Sequence, residues 1–123
     1  MFLIDQDGSF VDINNRACEI LGYSRKELLK LSVSDIDPVY PRDKFEEFIQ
    51  NLEKNKPVTI EGAHKRKDGT TFPVEIRTGL IDIHGQTHLL SLSRDISERK
   101  KMEDTLLKVR NLESLGTLAG GIA

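Results

Sequence analysis

The sequence is poor in the residues that announce many functions. It has a single cysteine, Cys18, so no internal disulfide can form, and a reducing cytoplasm is the expected setting. It has no tryptophan and no excess of either charge. The 18 basic and 20 acidic residues leave a formal net charge of -2, which gives no footprint for nucleic acid or for an anionic bilayer. No apolar run reaches the roughly 18 residues a membrane span needs. No charged stretch followed by an apolar segment opens the chain, so no secretory leader is expected. Met1 stands directly against a strand-like run, which leaves room for a membrane anchor upstream in a parent protein. There is no glycine-rich phosphate loop, no paired His-Glu metal motif and no Ser/His/Asp arrangement. Gly116 to Gly121 lacks the Gly-Lys-Ser/Thr ending such a loop requires. Catalysis is therefore not expected of these residues.

What is present suits one globular domain with a solvated helix attached: 37% hydrophobic and 31% charged residues in 123. Phe2–Ile4 and Phe10–Ile13 are short apolar runs around an Asp-Gly turn, which predicts a hairpin. Asn14 or Asn15 caps a helix that Gly22 stops. Ser24 and Glu27 form a capping-box pair for a second short helix through Leu29. Ser34 to Pro38 reads as a further short turn of helix, broken by Pro38 and Pro41. Phe45, Phe48, Ile49 and Leu52 place one apolar stripe on a helix over 42–54. Three strands follow over 58–64, 70–83 and 87–94, separated by a charged Asp68-Gly69 turn and a tight His84-Gly85 turn.

From Ile96 the period becomes helical. Asp95 reads as its N-cap, with Glu98 as capping-box partner. Met102, Leu106, Val109, Leu112 and Leu115 recur every three or four residues between charged flanks, the pattern of a dimeric coiled-coil seam. Strands grouped on either side of a helical block argue for an α+β fold, an antiparallel sheet with helices on one face.

That order, with the residues that fill it, resembles the PAS family of sensory domains. Leu3 to Leu29 looks like the family's first hairpin and helices, Gly62 to Arg77 like its central hairpin, and Arg94 to Asp104 like the junction into an output helix. The family's Asp-x-Thr or Asp-x-Ser junction is here Asp95-Ile96-Ser97. The resemblance implies a five-stranded antiparallel sheet, a sensory domain over residues 1–95 and a coupling helix over 96–123. Leu112 to Ala123 is similar to the opening of the dimerisation and phosphoacceptor helix of histidine kinases. The histidine that accepts phosphate, and the nucleotide-binding domain, are then expected beyond Ala123. Implied partners are a second copy through the C-terminal helix, a kinase domain in cis and a response regulator. The competing outputs are a cyclic-dinucleotide synthase or a ligand-free dimerisation module.

The resemblance assigns signal relay to Asp95, Ser97 and Glu98, with Lys67, Arg66 and Arg77 as candidate cationic partners. The bland alternative for this junction is an ordinary cap with a surface ion pair. Ile60, Phe72, Val74, Ile76, Leu90 and Leu92, with Ser91 and Arg94 as polar neighbours, are candidate linings for a pocket between sheet and helices. The expected occupant is none or an unknown small molecule. Haem is not expected, because the helix over 42–54 has no histidine, and His64, His84 and His88 read as exposed or edge positions. His84 and His88 flank one turn, but two ligands alone are a weak metal site, and no metal is expected. Cys18 lies on an apolar helix face and outside any flavin-adduct motif of the family, so it reads as core.

Overall fold

A computed structural model describes residues 1–39 and 41–122, with side chains through Glu113. The elements run β1 (Phe2–Ile4), β2 (Phe10–Ile13), α1 (Asn15–Leu21), α2 (Arg25–Leu28), α3 (Val33–Ile36), α4 (Arg42–Asn51), β3 (Val58–Lys65), β4 (Thr71–Ile83), β5 (Gln86–Asp95) and α5 (Ser97–Ile122). The strands form one antiparallel sheet in the order β2-β1-β5-β4-β3. The first and last strands in sequence meet inside it: β1 pairs with β5, Phe2 opposite Ser91.

Local chemistry explains the boundaries. Asn14 Oδ1 accepts the Ala17 N–H at 3.1 Å and starts α1. Gly22 ends it at φ 79°, a left-handed geometry that costs little without a Cβ. Ser24 and Glu27 exchange both capping-box bonds at the start of α2. His84 and Gly85 both take positive φ, 49° and 77°, as the two-residue hairpin between β4 and β5 requires. The apolar stripe on α4 continues to Leu52, yet the helix ends at Asn51. Leu52 is extended at ψ 137°, and its side chain still packs against the core.

All four short helices cover one face of the sheet. Ile13, Leu21, Leu28 and Ile36 are almost fully buried there against Phe72, Val74 and Ile76. Strand alternation then assigns the other face. Glu61, Arg77, Leu92 and Arg94 lie on it, exposed, with Glu75 half-buried between β3 and the start of α5.

Candidate functional site

A cavity of about 50 Å³ lies between the sheet and α3–α4. Ile60, Ile76 and Ser91 line it, as do Phe45 and Leu89. Phe72 and Val74 line a second cleft of about 220 Å³ toward α1. Leu90, Leu92 and Arg94 do not line the inner cavity. Leu90 and Leu92 border a groove on the opposite face beside Pro57 and Gly79, Leu92 also touching the rim of the second cleft, and Arg94 pairs with Glu75 at 3.3 Å. The reason is the phase of β5. Residues 89–94 read Leu-Leu-Ser-Leu-Ser-Arg, and Leu89, Ser91 and Ser93 point inward, so hydroxyls face the core and a leucine 54% exposed faces out. Shifting the face by one residue exchanges the two sets.

The polar groups of the cavity wall are therefore buried. Thr78 and Ser91 share a hydrogen bond of 2.7 Å. Ser93 Oγ is buried with no hydrogen-bond partner among the described residues. His64, only 5% exposed, stands edge-on between Phe2 and Phe72, with ring centroids 5.9 and 6.1 Å away. Burial pushes its pKa down to about 4, so the ring is neutral near pH 7. His64 and His88 are thus buried, against the expectation of exposed or edge histidines. His64 is covered by the rings of Phe2 and Phe72, against which the carbon edge of an imidazole packs. His88 donates from Nδ1 to the Gln86 carbonyl at 3.1 Å in the tautomer that places a proton there. Among the described residues no three His, Cys, Asp or Glu side chains are grouped to hold a metal ion.

The junction begins one residue later than the expected cap. Helix α5 starts at Ser97, and Asp95 is the last residue of β5. Asp95 Oδ1 accepts from the Ser97 N–H at 2.8 Å and from the Ser97 hydroxyl at 2.5 Å, a short turn rather than a capping box. Among the described residues no hydrogen bond ties Glu98 to the junction. Burial works against the Asp95 charge. The Ser97 hydrogen bonds and the positive charges of Arg66 and Lys101 outweigh it and hold its carboxyl below the usual range. Ile96, buried, completes the anchor by donating its N–H to the Pro73 carbonyl at 3.1 Å.

Of the three candidate cations, Arg66 lies nearest Asp95, at 3.9 Å, with its guanidinium 4.2 Å above the Phe72 ring. Lys67 instead donates to Glu27 at 2.7 Å, a bond that holds the Glu27 carboxyl at about 2. Arg77 donates to Thr59 at 3.1 Å.

Sequence reasoning missed the residues that pin α5 to the sheet. Arg99 pairs with Glu75 at 3.1 Å, with Glu103 at 3.6 Å and more closely with Glu61. Lys100 pairs with Glu61 at 2.9 Å. The Lys100 ammonium lowers the Glu61 carboxyl, and the bond to Glu75 raises Arg99. The β3–β4 register places Glu61 directly opposite Glu75. Like charges facing each other across a ladder are unfavourable and call for a cation between them. That register was a usable signal. Farther along α5, Met102, Leu106, Leu107, Val109 and Leu112 are all exposed, Met102 to 72%. Leu115 lies outside the described side chains. No described helix is long and apolar enough to cross a membrane.

A family model described as "PAS domain" matches residues 1–98. The chain is 33% identical to the methyl sulfide methyltransferase-associated sensor of Methanosarcina acetivorans over 84% of its length, and 24% identical to the sensor protein FixL of Bradyrhizobium diazoefficiens over all of it. It is 31% identical over 86% to the diguanylate cyclase DgcM of Escherichia coli K12. These alignments cover 10%, 27% and 26% of the three relatives, so the chain spans about a quarter of their length or less. Among solved structures, the domain from an HTR-like protein of Haloarcula marismortui superposes with a TM-score of 0.74 at 28% identity, covering 77% of this chain and 78% of that one.

Proposed function

Because the chain belongs to the PAS domain family, we propose that it is the sensory module of a signal-transducing histidine kinase and passes the state of its cavity to a kinase domain through α5. The observation that carries this reading is the double attachment of α5. Asp95 and Ile96 hold its start to the end of the sheet, and Arg99 and Lys100 hold its first turn to Glu61 and Glu75. A change in twist or strand spacing at β3–β5 then moves the helix. Each exposed pair contributes about 1 kcal/mol or less, so the attachment can be shifted by a modest input. The kinase output rests on the alignment with FixL, which runs through the whole of α5. A diguanylate cyclase output is the second reading, favoured by the alignment with DgcM.

The test is Asp95→Ala in the parent protein. Basal autophosphorylation is expected to persist, while the stimulus-dependent change, about fivefold or more for a coupling of 1 kcal/mol, collapses toward one. An unaltered response removes Asp95 from the relay. Phosphate on a histidine, as against synthesis of a cyclic dinucleotide, separates the two outputs.

The exposed seam on α5 is expected to pair with a second copy in parallel. Light scattering on residues 1–123 should report a dimer in the micromolar range, and Leu106→Asp should return it to monomer. A wild-type monomer at about 1 mM would end the coiled-coil assignment.

A further inference from the structure

Three side chains, Phe2, His64 and Ser93, line both the inner cavity of about 50 Å³ and the neighbouring cleft of about 220 Å³. Two of the three are polar. Ser93 Oγ is buried and unbonded, and His64 has ring contacts with Phe2 and Phe72 but no hydrogen bond among the described residues. Protein interiors satisfy nearly all buried polar atoms, so the open Ser93 Oγ, beside an imidazole with no hydrogen bond, is where a guest belongs.

The rest of the wall sets the guest's chemistry. It is largely apolar, from Phe10, Ile36, Phe45, Ile76 and Leu89, and among the described residues no lysine or arginine lines it. A carboxylate or phosphate would enter with no opposite charge to meet it, at a prohibitive desolvation cost. Among the described residues Asp37 supplies the one carboxylate on the wall, and it accepts the Val39 N–H at 2.8 Å. Size is equally restrictive. An apolar cavity of about 150 Å³ accepts benzene, and this one is about a third as large with one wall shared with the cleft, so it suits about three or four heavy atoms.

We propose that the cavity takes a small uncharged molecule with one hydroxyl or carbonyl, which meets Ser93 Oγ and His64 while its carbon end packs against Phe45, Ile76 and Leu89. The proposal rests on the sensory reading above and names the class of ligand for that site. The guest also touches the route to the helix. His64 packs on Phe72, Phe72 lies under Arg66, and Arg66 stands beside Asp95.

The test uses three probes of one size and three charges: isopropanol, acetate and isopropylamine, each titrated into the isotope-labelled chain and followed by NMR. Isopropanol is expected to shift the Ser93 amide and the His64 ring saturably, with a dissociation constant in the millimolar range for so few atoms. Acetate is expected to give no saturable shift there, and isopropylamine, whose ammonium group only Asp37 could meet at the cost of its hydration, a weaker one than isopropanol. Ser93→Ala should weaken isopropanol about fivefold, the loss of one hydrogen bond, with the rest of the spectrum retained. Linear, unsaturable isopropanol shifts, equal binding of either ion, or undiminished binding to Ser93→Ala overturns the proposal. Those outcomes leave the helix relay standing, because its test is the response of the Asp95→Ala parent protein.

Discussion

Lowering the pH from 7 to 4 should cost the folded domain on the order of 3 kcal/mol through one side chain, His64. In the folded chain burial holds its pKa at about 4, against 6.5 for an ordinary histidine. Between those two values the unfolded chain binds a proton that the folded chain refuses. Stability therefore falls as the pH falls through that window, is unaffected by this group above about 7, and has lost the full amount by about 4. Each tenfold difference in proton affinity is worth about 1.4 kcal/mol, which gives the figure. It is a large share of the total of about 5–15 kcal/mol that holds a typical domain together. The paired carboxylates act elsewhere. Glu27 and Asp95 have lowered pKa values, so the stability they add is present above the ordinary carboxylate range and is lost only at lower pH. Urea unfolding at pH 7, 5.5 and 4.5 checks this. His64→Gln, which binds no proton in either state, should flatten the slope across that range. The same slope in both proteins would show that His64 is not the group responsible.

Phe72→Ala should be the most damaging single substitution at the site, at about 3–5 kcal/mol. The ring is buried on β4 and does three things at once. It fills the core beside Val74, faces the edge of His64, and supports the Arg66 guanidinium at 4.2 Å. Removing it opens a void and takes away the surface on which Arg66 rests. Phe72→Leu separates the effects. It keeps most of the volume and should cost about 1–1.5 kcal/mol, yet it removes both ring contacts. Hydrogen exchange at the Ser97 N–H, bonded to Asp95, then reports whether Arg66 still steadies the junction. Faster exchange in Phe72→Leu without general loosening is expected. A cost under about 1 kcal/mol for Phe72→Ala would contradict its place in the core.

The element order was legible because nearly every boundary carries its own chemical mark. Asn14, Gly22, the Ser24–Glu27 pair and His84-Gly85 each act within a few residues of chain, where sequence alone decides the backbone. Errors came where a longer reach decides. Leu52 keeps the helical spacing of its stripe, but the core is reached by an extended residue instead. On β5 hydropathy put Leu90 and Leu92 on the cavity wall beside Ser91 and left out Ser93, although the two leucines face the other side. Only the pairing of Ser91 with Phe2 and of Ser93 with Ile76 sets the phase. At the junction Asp95 has the composition of a cap but belongs to the strand. The cations that answer Glu61 and Glu75 lie 24 to 39 residues away in sequence, beyond any local motif.

The alternation along β4 has one more consequence. Val74 and Ile76 face the cavities while Glu75, between them, faces α5. The sheet is therefore a diaphragm one residue thick, with a chamber on one side and α5 on the other. On the relay proposed above, no message needs to travel around its edge, since Ile76 inside and Glu75 outside share a peptide bond.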